Sequence, residues 1–298
     1  MQEFKEEELK KLFKPARNST KEDNGRVTII GGSSLFHGAP ILALKTASRI
    51  VDMVFFSSPE PSVGKVAEKI KSQLGSFIWV PFAEVGEYIQ KSDAVLIGPG
   101  LMRYRSEIQS SKCKVKNLGD KVGLETKKIT ETLLQQFPQK QWVIDAGSLQ
   151  VMDPRFIPQN AILTPNRKEF EMLFKFKIQN AKCKMIIQNS KLIKSLKENS
   201  RKYNCTIVLK LAQTIVCSPE RCVVIEGGNA GLTKGGTGDV LAGLTVGLAA
   251  KNPPFLAACA ASFVLKKAAD ELYKTVGFAY NADDLSEKIP EVIGEYWR

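Results

Sequence analysis

Short apolar runs rich in β-branched residues alternate along the chain with longer segments whose apolar residues recur at helical spacing. The short runs predict β-strands, because each is bounded by glycine, proline or polar residues. The predicted strands lie at 27–30, 51–56, 77–80, 94–97, 142–147, 161–165, 206–210, 214–218 and 222–226. The longer segments predict helices at 41–50, 125–137, 168–174, 185–200, 239–250 and 255–273.

Strands that alternate with helices predict an α/β fold, in which a mostly parallel sheet carries helices on both faces. No linker or internal repeat divides the chain, so residues 1–298 are predicted to form one domain. Residues 102–123 are basic and polar without helix or strand periodicity, which predicts an inserted loop. The last two strands are predicted to pair through the turn 218–220.

Several classes of protein are excluded by the ends, the cysteines and the histidine. The N-terminus has no apolar run before a cleavage site, and no apolar stretch is long enough to span a membrane. We therefore expect a cytoplasmic protein without a membrane partner. The six cysteines form no CxxC pair, which predicts reduced thiols. His37 is the only histidine, so neither a serine triad nor a histidine-based metal centre is expected, and no metal ligand is assigned.

The formal net charge of +12 is concentrated in one segment. Residues 175–202 contain nine Lys or Arg against the single acid Glu198, a net charge of +8. Such a segment is typical of a solvated helical face, and its alternative role is the attraction of anionic partners. The segment does not interleave aromatic side chains as a nucleic-acid stacking surface does. We therefore predict no specific nucleic-acid site.

The segment 231–243, GLTKGGTGDVLAG, carries the strongest chemical signal. It matches neither the Walker pattern GxxxxGK[ST] nor the dinucleotide fingerprint GxGxxG. Consecutive glycines leave backbone N–H groups open to a phosphate, and the following helix adds its positive dipole end. Asp239 is placed to take a proton from a hydroxyl that attacks phosphorus. The alternative is a glycine turn whose Thr237 or Asp239 only caps the helix.

Glycine turns recur at two other predicted strand ends, Gly31-Gly32 and Gly98-Pro99-Gly100. This recurrence favours a phosphate site over a helix cap, because the carboxyl ends of parallel strands collect the ligand in α/β sheets. Four further residues keep two possible roles each, a ligand contact or a structural contact in a loop: Lys234, His37, Asp145 and Asn229. For Asp145 the ligand is a metal or water, and for Lys234 it is a phosphate.

Six segments follow one another in an order that identifies a family. They read GGSSLFHGAPILA, IGPGL, VIDAGSL, ILTPNRKEF, VLK followed by Thr214, and GNAGLTKGGTGDVLAG. The chain resembles the ADP/ATP-dependent NAD(P)H-hydrate dehydratases of the ribokinase-like superfamily from about Lys14 to Glu295. The last segment is the most specific. The resemblance implies a ribokinase-like three-layer sandwich, with a mostly parallel sheet between two layers of helices.

The resemblance also implies a repair reaction on NADH or NADPH that has taken up water. The enzyme would phosphorylate the ring hydroxyl from ATP or ADP, with Mg²⁺, and phosphate would then leave as the reduced nicotinamide returns. By similarity, Asp239 is the base, and the anion hole comprises Gly235, Gly236, Thr237 and Gly238. The donor nucleotide would contact Lys210, Leu211, Ala212, Gln213, Thr214 and Gly238. The hydrated cofactor would contact Ala39, Gly100, Asn166 and Asp239.

The chain departs from the family pattern at four positions. Asn166 stands where the family's TPHxGE motif usually has His, and Lys168 where it has Gly. Leu211 replaces a Gly after Lys210, and Met102 replaces the last Gly of a GPGxG turn. Asn offers both a donor and an acceptor, so the change at 166 is mild. Leu211 adds bulk beside the expected nucleotide.

Two rival functions remain beside the dehydratase. One is a small-molecule kinase of the same superfamily, acting on a vitamin-precursor alcohol and using Asp239 in the same way. The other is a nucleotide-binding regulator or nucleic-acid partner without catalysis, which the presence of the Asp239 carboxylate disfavours. The resemblance implies a homo-oligomer, for instance a tetramer. It also implies a separate epimerase, because the epimerase domain that many relatives carry at their N-terminus is missing from this sequence.

Overall fold

The computed structural model describes residues 1–103, 118–176 and 190–298. Its strands are β1 (Gln2–Glu3), β2 (Arg26–Ile30), β3 (Met53–Ser57), β4 (Ile78–Trp79), β5 (Ala94–Ile97), β6 (Gln141–Ile144), β7 (Ile162–Leu163), β8 (Thr206–Leu209), β9 (Thr214–Cys217) and β10 (Cys222–Ile225). Its α-helices are α1 (Gly38–Ala47), α2 (Pro61–Ile70), α3 (Val85–Lys91), α4 (Leu118–Gln136), α5 (Ala146–Val151), α6 (Arg167–Leu173), α7 (Ser190–Tyr203), α8 (Thr237–Ala249), α9 (Pro254–Val276) and α10 (Ala282–Trp297).

All these strands belong to one sheet, in the order β1-β10-β9-β8-β7-β6-β5-β2-β3-β4. Seven neighbouring strands of this order run parallel to one another, namely β8, β7, β6, β5, β2, β3 and β4. Strand β9 is antiparallel to both of its neighbours. The order reverses between β2 and β5, where the chain switches from one half of the sheet to the other. In parallel sheets such a switch leaves a crevice at the carboxyl ends of the strands.

The sheet buries both of its faces. Successive strand residues point to opposite faces, so Ile29 packs into one apolar cluster and Ile30 into the other. The first cluster lies under α1, α2, α8, α9 and α10, and the second under α3 to α7. This arrangement of helices on both faces confirms the α/β three-layer architecture predicted from the sequence.

Helix α8 lies unusually close to α1. A Cβ on Gly243 would come within 2.3 Å of the Ala43 carbonyl oxygen, and a Cβ on Gly247 within 2.9 Å of Ile50. Glycine at these positions removes the atoms that would separate the two helices. These contacts fix α8 beside α1 and the residues that follow it.

A strand is present at each predicted position, but the one predicted at 142–147 ends at Ile144, and residues 146–147 belong to α5. The elements that were not predicted are β1, helices α2, α3, α5 and α10, and the 3-10 helices Phe82–Glu84, Pro154–Phe156 and Ala230–Thr233. The predicted inserted loop 102–123 is wrong at its end, because residues 118–123 belong to α4. Residues 104–117, and 185–189 of a predicted helix, lie outside the described residues. No helix in the described ranges is long and apolar enough to cross a membrane.

The prediction of reduced cysteines is wrong for one pair. Cys217 and Cys222 are directly opposed on the antiparallel pair β9–β10, with Cα atoms 4.1 Å apart, and they form a disulfide. The sequence spacing did not reveal this pairing, because it depends on the register of the hairpin. Cys205 and Cys259 are free and buried. Cys113 and Cys183 lie outside the described residues.

Candidate active site

Five parallel strands end at one edge of the sheet, and each carries a residue of interest just beyond its last position. β2 is followed by Gly31-Gly32, β5 by Gly98-Pro99-Gly100, β6 by Asp145, β7 by Thr164-Pro165-Asn166, and β8 by Lys210. Because parallel strands share their direction, these residues are gathered without any further folding device.

The loops after β2 and β5 are in direct contact. The Gly32 N–H donates to the Pro99 carbonyl over 2.8 Å. Gly100 has φ +72°, and a Cβ there would come within 2.6 Å of the Phe36 carbonyl oxygen. Only glycine permits both the positive φ and this close approach. The structure therefore places Gly100 against the loop that leads into α1, which contains Ala39.

The turn at residues 235–239 presents open backbone donors. Gly236 adopts φ +92° at the N-terminus of α8. The N–H groups of Gly235, Gly236 and Gly238 donate to no acceptor in the described part of the chain. The Thr237 hydroxyl is engaged, since it donates to the Leu232 and Lys234 carbonyls over 2.7 and 2.9 Å. Three unpaired N–H groups at a helix N-terminus form a site for an anion.

A network of side chains holds the approach to this turn. The Tyr280 hydroxyl donates to Asn229 Oδ1 over 2.7 Å, and Asn229 Nδ2 donates to the Ala269 carbonyl over 2.9 Å. Lys234 donates to the Phe278 and Tyr280 carbonyls. Asn229 and Lys234 thus make structural contacts, which is one of the two roles predicted for each of them; the other was a ligand contact. His37 likewise lies beside Ser62, with Nε2 3.1 Å from the hydroxyl oxygen.

A cluster of charges lies beside the turn. Lys210 Nζ is 2.8 Å from Asp145 Oδ1 and 3.9 Å from Glu169 Oε2. The Asp145 side chain is buried and also accepts from the Thr164 hydroxyl over 2.8 Å. A Cβ on Gly238 would come within 3.4 Å of Lys210 Nζ, so this ammonium reaches the anion hole. Asp145 therefore ties the ends of three strands together and orients Lys210.

The pKa of Asp239 is raised to about 7, first by burial and then by the negative charge of Asp145. Lys210 opposes this rise and Glu169 adds to it. Burial lowers the pKa of Lys210, but Asp145, Glu169 and Asp239 outweigh burial, so its pKa is raised above the usual value. A carboxylate with a pKa near neutrality is an efficient proton acceptor at physiological pH. Lys210 meanwhile stays charged.

A cavity of about 730 Å³ opens on one side of the turn. Its apolar lining comes from the segment after β8 and from α8 and α9, and polar lining comes from Lys234, Thr237 and Gly238 around the turn. Its lining residues include Asn166, Lys210, Leu211, Ala212, Thr214, Asn229, Leu232, Thr237, Gly238, Leu241, Ser262, Leu265 and Lys266. The volume is in the range of sites for drug-sized ligands and cofactors.

Most residues that the resemblance implied for the nucleotide line this cavity. Lys210, Leu211, Ala212 and Thr214 do so, together with Gly238. Gln213 instead donates to Glu226 Oε1 over 2.9 Å. Gly235, Gly236 and Asp239 belong to the turn itself.

Among the residues implied for the substrate pocket, Ala39 and Gly100 lie apart from this cavity, whereas Asn166 borders it and forms a β-bridge with Lys210. The Asn166 side chain also has a structural task. Its Oδ1 accepts from the Glu169 N–H over 3.1 Å, while Glu169 Oε2 accepts from the Asn166 N–H over 2.7 Å. This reciprocal capping box begins α6. The side-chain Nδ2 of Asn166 has no partner among the described residues, so it remains a donor for a ligand.

Sequence reasoning missed two charged residues of the site. Glu169 is buried and joins the Lys210 cluster, and Lys266 is buried in the cavity wall. The capping pattern N-x-x-E at 166–169 was available as a signal for Glu169. No local signal distinguishes Lys266 from its neighbour Lys267.

The described residues contain no group of three or more His, Cys, Asp or Glu side chains arranged to hold a metal ion. Mg²⁺ commonly binds through one or two carboxylates and the phosphates of a nucleotide.

The chain is similar to proteins of one family over most of its length. The family model for NAD(P)H-hydrate dehydratase matches residues 27–291. A bifunctional NAD(P)H-hydrate repair enzyme of Methanocaldococcus jannaschii is 37% identical over 96% of this chain and 51% of its own length. An ADP-dependent (S)-NAD(P)H-hydrate dehydratase of Nitrosopumilus maritimus is 29% identical over 96% of this chain and 94% of its own. The chain thus spans about half the length of the bifunctional relatives.

Solved structures share the fold. A ribokinase-like superfamily protein of Enterococcus faecalis has a TM-score of 0.79, 21% identity, and coverage of 99% of this chain and 96% of its own. The ADP/ATP-dependent NAD(P)H-hydrate dehydratase of Bacillus subtilis, co-crystallised with ATP and Mg²⁺, has a TM-score of 0.74 and 22% identity. That alignment covers 99% of this chain and 98% of the neighbour. The fold is therefore ribokinase-like.

Proposed function

The chain belongs to the NAD(P)H-hydrate dehydratase family, and from that membership we propose that it dehydrates hydrated NADH and NADPH with ATP or ADP as phosphate donor. The observation that supports this reaction most directly is the pairing of a base with an anion hole. Asp239, with its pKa of about 7, lies in the same turn as the free N–H groups of Gly235, Gly236 and Gly238.

The first step is transfer of a phosphoryl group to the ring hydroxyl. Asp239 accepts the hydroxyl proton while the oxygen forms a bond to the terminal phosphorus of the donor, whose bridging P–O bond breaks. The open N–H groups of the turn and the Lys210 ammonium stabilise the charge on the transferred group. Asp145 keeps Lys210 in position, because it receives the 2.8 Å hydrogen bond from Nζ.

The second step is loss of phosphate from the nicotinamide ring. Phosphate is a better leaving group than hydroxide, and it departs with the electrons of the C–O bond as the ring nitrogen donates its lone pair. Loss of a proton from the neighbouring ring carbon then restores the dihydronicotinamide. The same N–H groups that held the transferred phosphoryl group stabilise the departing anion.

We assign the two ligands to opposite sides of the turn, because in-line transfer needs the attacking and leaving oxygens on opposite faces of phosphorus. Lys210 approaches the turn from the cavity side at Gly238, which supports a donor site there. Leu42 of α1 approaches from the other side at Gly236, which supports a dinucleotide site beside Ala39 and Gly100. Asn166 borders the donor cavity next to Lys210. We propose that its free side-chain Nδ2 donates to the dinucleotide, at the junction of the two sites.

Mg²⁺ would accompany the donor nucleotide, held by its phosphates and by a carboxylate of the Asp145, Glu169 and Asp239 group. Bound there, the ion supplies charge neutralisation for the phosphates. The placement of the nucleotide and the dinucleotide on opposite sides of the turn does not depend on which carboxylate contacts the Mg²⁺ ion.

We further propose a cytoplasmic homo-oligomer, with a tetramer as the expected form, that acts together with an epimerase activity. The location is supported by the substrates, which are free dinucleotides. The epimerase is supported by the bifunctional relatives, whose length is about twice the matched region.

The proposed function is tested by mixing the protein with hydrated NADH or hydrated NADPH and either ATP or ADP. Reduced-nicotinamide absorbance should return, and it should not return without nucleotide. Accumulation of a stable phosphorylated product would instead indicate a kinase. Absence of any nucleotide turnover, with the protein folded, would contradict the proposal.

A further inference from the structure

The cavity beside the turn contains a second lysine that the proposed chemistry does not use. Lys266, on α9, is only 4% exposed, and its Nζ donates to the Ala212 carbonyl over 2.6 Å and to the Gly227 carbonyl over 2.8 Å. An ammonium carries three N–H donors. The third finds no acceptor within the described parts of the chain, although Lys266 lines the cavity.

This ammonium is also without an ion-pair partner. No carboxylate of the described residues forms a salt bridge with it, and the carboxylates of Glu226 and Asp270 act on it only at longer range. Burial lowers its pKa more than these two acids raise it. Burying a charge is costly unless it is paired and hydrogen-bonded. A buried lysine that lines a cavity and has one open donor can take its remaining partner from a ligand in that cavity.

The surroundings of Lys266 identify which part of a nucleotide lies there. The phosphate end of the cavity is marked by Lys210 and the open N–H groups of the turn. The surroundings of Lys266 are backbone and apolar groups instead. Among the described residues, its Nζ meets only the Ala212 and Gly227 carbonyls. A Cβ on Gly228 would lie 2.8 Å from Leu232 Cδ1 and 3.0 Å from Lys266 Cγ. Leu241 and Leu265 add further apolar lining to the same cavity. A flat aromatic base fits an apolar slot, whereas a phosphate does not.

We propose that Lys266 binds the purine base of the donor nucleotide, donating its third N–H to an unprotonated ring nitrogen. This assignment rests on the proposed use of a nucleotide donor and names the base-reading residue of that site. Adenine, the base of ATP and ADP, presents N1, N3 and N7 as ring acceptors, and a lysine ammonium has no acceptor of its own. Lys266 thus reads an acceptor edge of the base, and Lys210 contacts the phosphates at the other end.

The test measures equilibrium binding of ATP and of its 1-deaza, 3-deaza and 7-deaza analogues in the absence of hydrated dinucleotide. Each analogue replaces one ring nitrogen by C–H. We expect one of the three to bind the wild-type protein roughly 10- to 100-fold more weakly than ATP, the loss typical of a charged hydrogen bond. Lys266→Met should bind ATP and that analogue equally. Lys267→Met, the adjacent lysine on the same helix, should keep the wild-type discrimination.

The wild-type series can overturn the assignment even if Lys266→Met does not fold, because it needs no variant. Equal binding of all three analogues, or failure of the wild-type protein to bind ATP, would overturn the assignment. Discrimination between the analogues that persists in Lys266→Met would also overturn it. An equal loss of affinity for ATP and for every analogue in Lys266→Met would overturn it too, because that result would place the lysine at the phosphates. Dehydration by the wild-type protein is measured separately. Normal turnover with no base discrimination would contradict this inference and leave the proposed function intact.

Discussion

At the scale of single residues, Asp239 carries the sharpest prediction. Asp239→Asn keeps the side-chain shape and the N–H groups of the turn, but it removes the proton acceptor. We expect the dehydration rate to fall roughly 10²–10⁴-fold, the usual range for loss of a general base, while nucleotide binding stays close to wild type. Asp283→Asn, an exposed Asp→Asn change on α10, serves as the matched control and should keep full activity.

The pH profile of the wild-type enzyme gives an independent check on the same role. Because the pKa of Asp239 is raised to about 7, kcat/KM should rise with pH through about pH 7 as the base loses its proton. Asp239→Asn should lack this rising limb. A variant with more than half the wild-type rate, or one with an unchanged pH profile, would remove Asp239 from the mechanism.

The two-sided arrangement of ligands gives a prediction for Asn166 and Thr214. Asn166→Ala should mainly raise KM for the hydrated dinucleotide, and Thr214→Ala should mainly raise KM for the nucleotide. Removal of one hydrogen bond predicts changes of about 3- to 10-fold in each case. Asn166→Ala also removes a helix cap, which costs about 1 kcal/mol, so its thermal stability is measured alongside. A purely nucleotide effect of Asn166→Ala would show that this residue was assigned to the wrong ligand.

At the scale of elements, the strands were predictable, whereas helices α2, α3, α5 and α10 were not. A strand buried on both faces reads as a continuous apolar run, which is why Ala94–Ile97 and Cys222–Ile225 were recognised. Helix α5 contains Gly147 and Ser148 and spans only Ala146–Val151, too short for a periodic pattern. Helix α10 contains Pro290, which weakens its helical signal.

The candidate site shows the same limit. Asp239 and the glycines are contiguous, so the sequence alone exposed them. Lys266 and Lys267 are adjacent in a helix, where consecutive side chains point in different directions. One is buried in the cavity wall and the other pairs with Glu6 and Glu295 at the surface. Only the packing of α9 separates these roles.

The turn before α8 predicts the effect of a single methyl group. Gly236 has φ +92°, and a Cβ there would lie 2.5 Å from Leu42 Cδ1 and 2.8 Å from the Ala282 Cβ. Gly236→Ala should therefore lower the unfolding free energy by at least about 2 kcal/mol, through backbone strain and overpacking. It should also impair nucleotide binding by displacing the N–H groups.

The control for that substitution is Gly294→Ala on α10. A Cβ at Gly294 meets no atom within 4 Å, and alanine is the better helix former. Gly294→Ala should leave binding unchanged and leave stability equal or slightly higher. Equal stability of the two variants in urea unfolding would show that the turn does not need glycine at 236.

At the scale of the whole molecule, the net charge of +12 predicts how nucleic acid binds. The basic residues of 190–202 lie on α7, whereas 177–189 lie outside the described residues. We expect DNA binding that has no sequence preference and weakens steeply between low and physiological salt, as counterion release requires. The check is a salt titration with two unrelated duplexes of equal length. Tight binding of one duplex at physiological salt would revive the non-catalytic alternative.

The half-buried charge of Asp239 also makes the stability of the whole protein depend on pH. The folded-state pKa of about 7 lies above the ordinary value of 3.8, so between these values the native state retains a proton that the unfolded chain has released. With respect to this group, the free energy of unfolding is therefore highest below about pH 4, falls as pH rises, and levels off above about pH 7. The Asn side chain remains neutral throughout, so Asp239→Asn should escape this loss.

We expect Asp239→Asn to unfold in urea with a free energy about 2–4 kcal/mol above wild type at pH 8, since each unit of pKa shift corresponds to about 1.4 kcal/mol. The advantage should shrink steadily toward pH 4. Asp283→Asn, at an exposed position, should gain nothing at pH 8. Because the same substitution removes activity, the active-site base is held at a cost in stability, a trade-off that enzymes commonly show. A difference independent of pH, or a less stable Asp239→Asn at pH 8, would mean that the carboxylate is not held in a charge-disfavouring site.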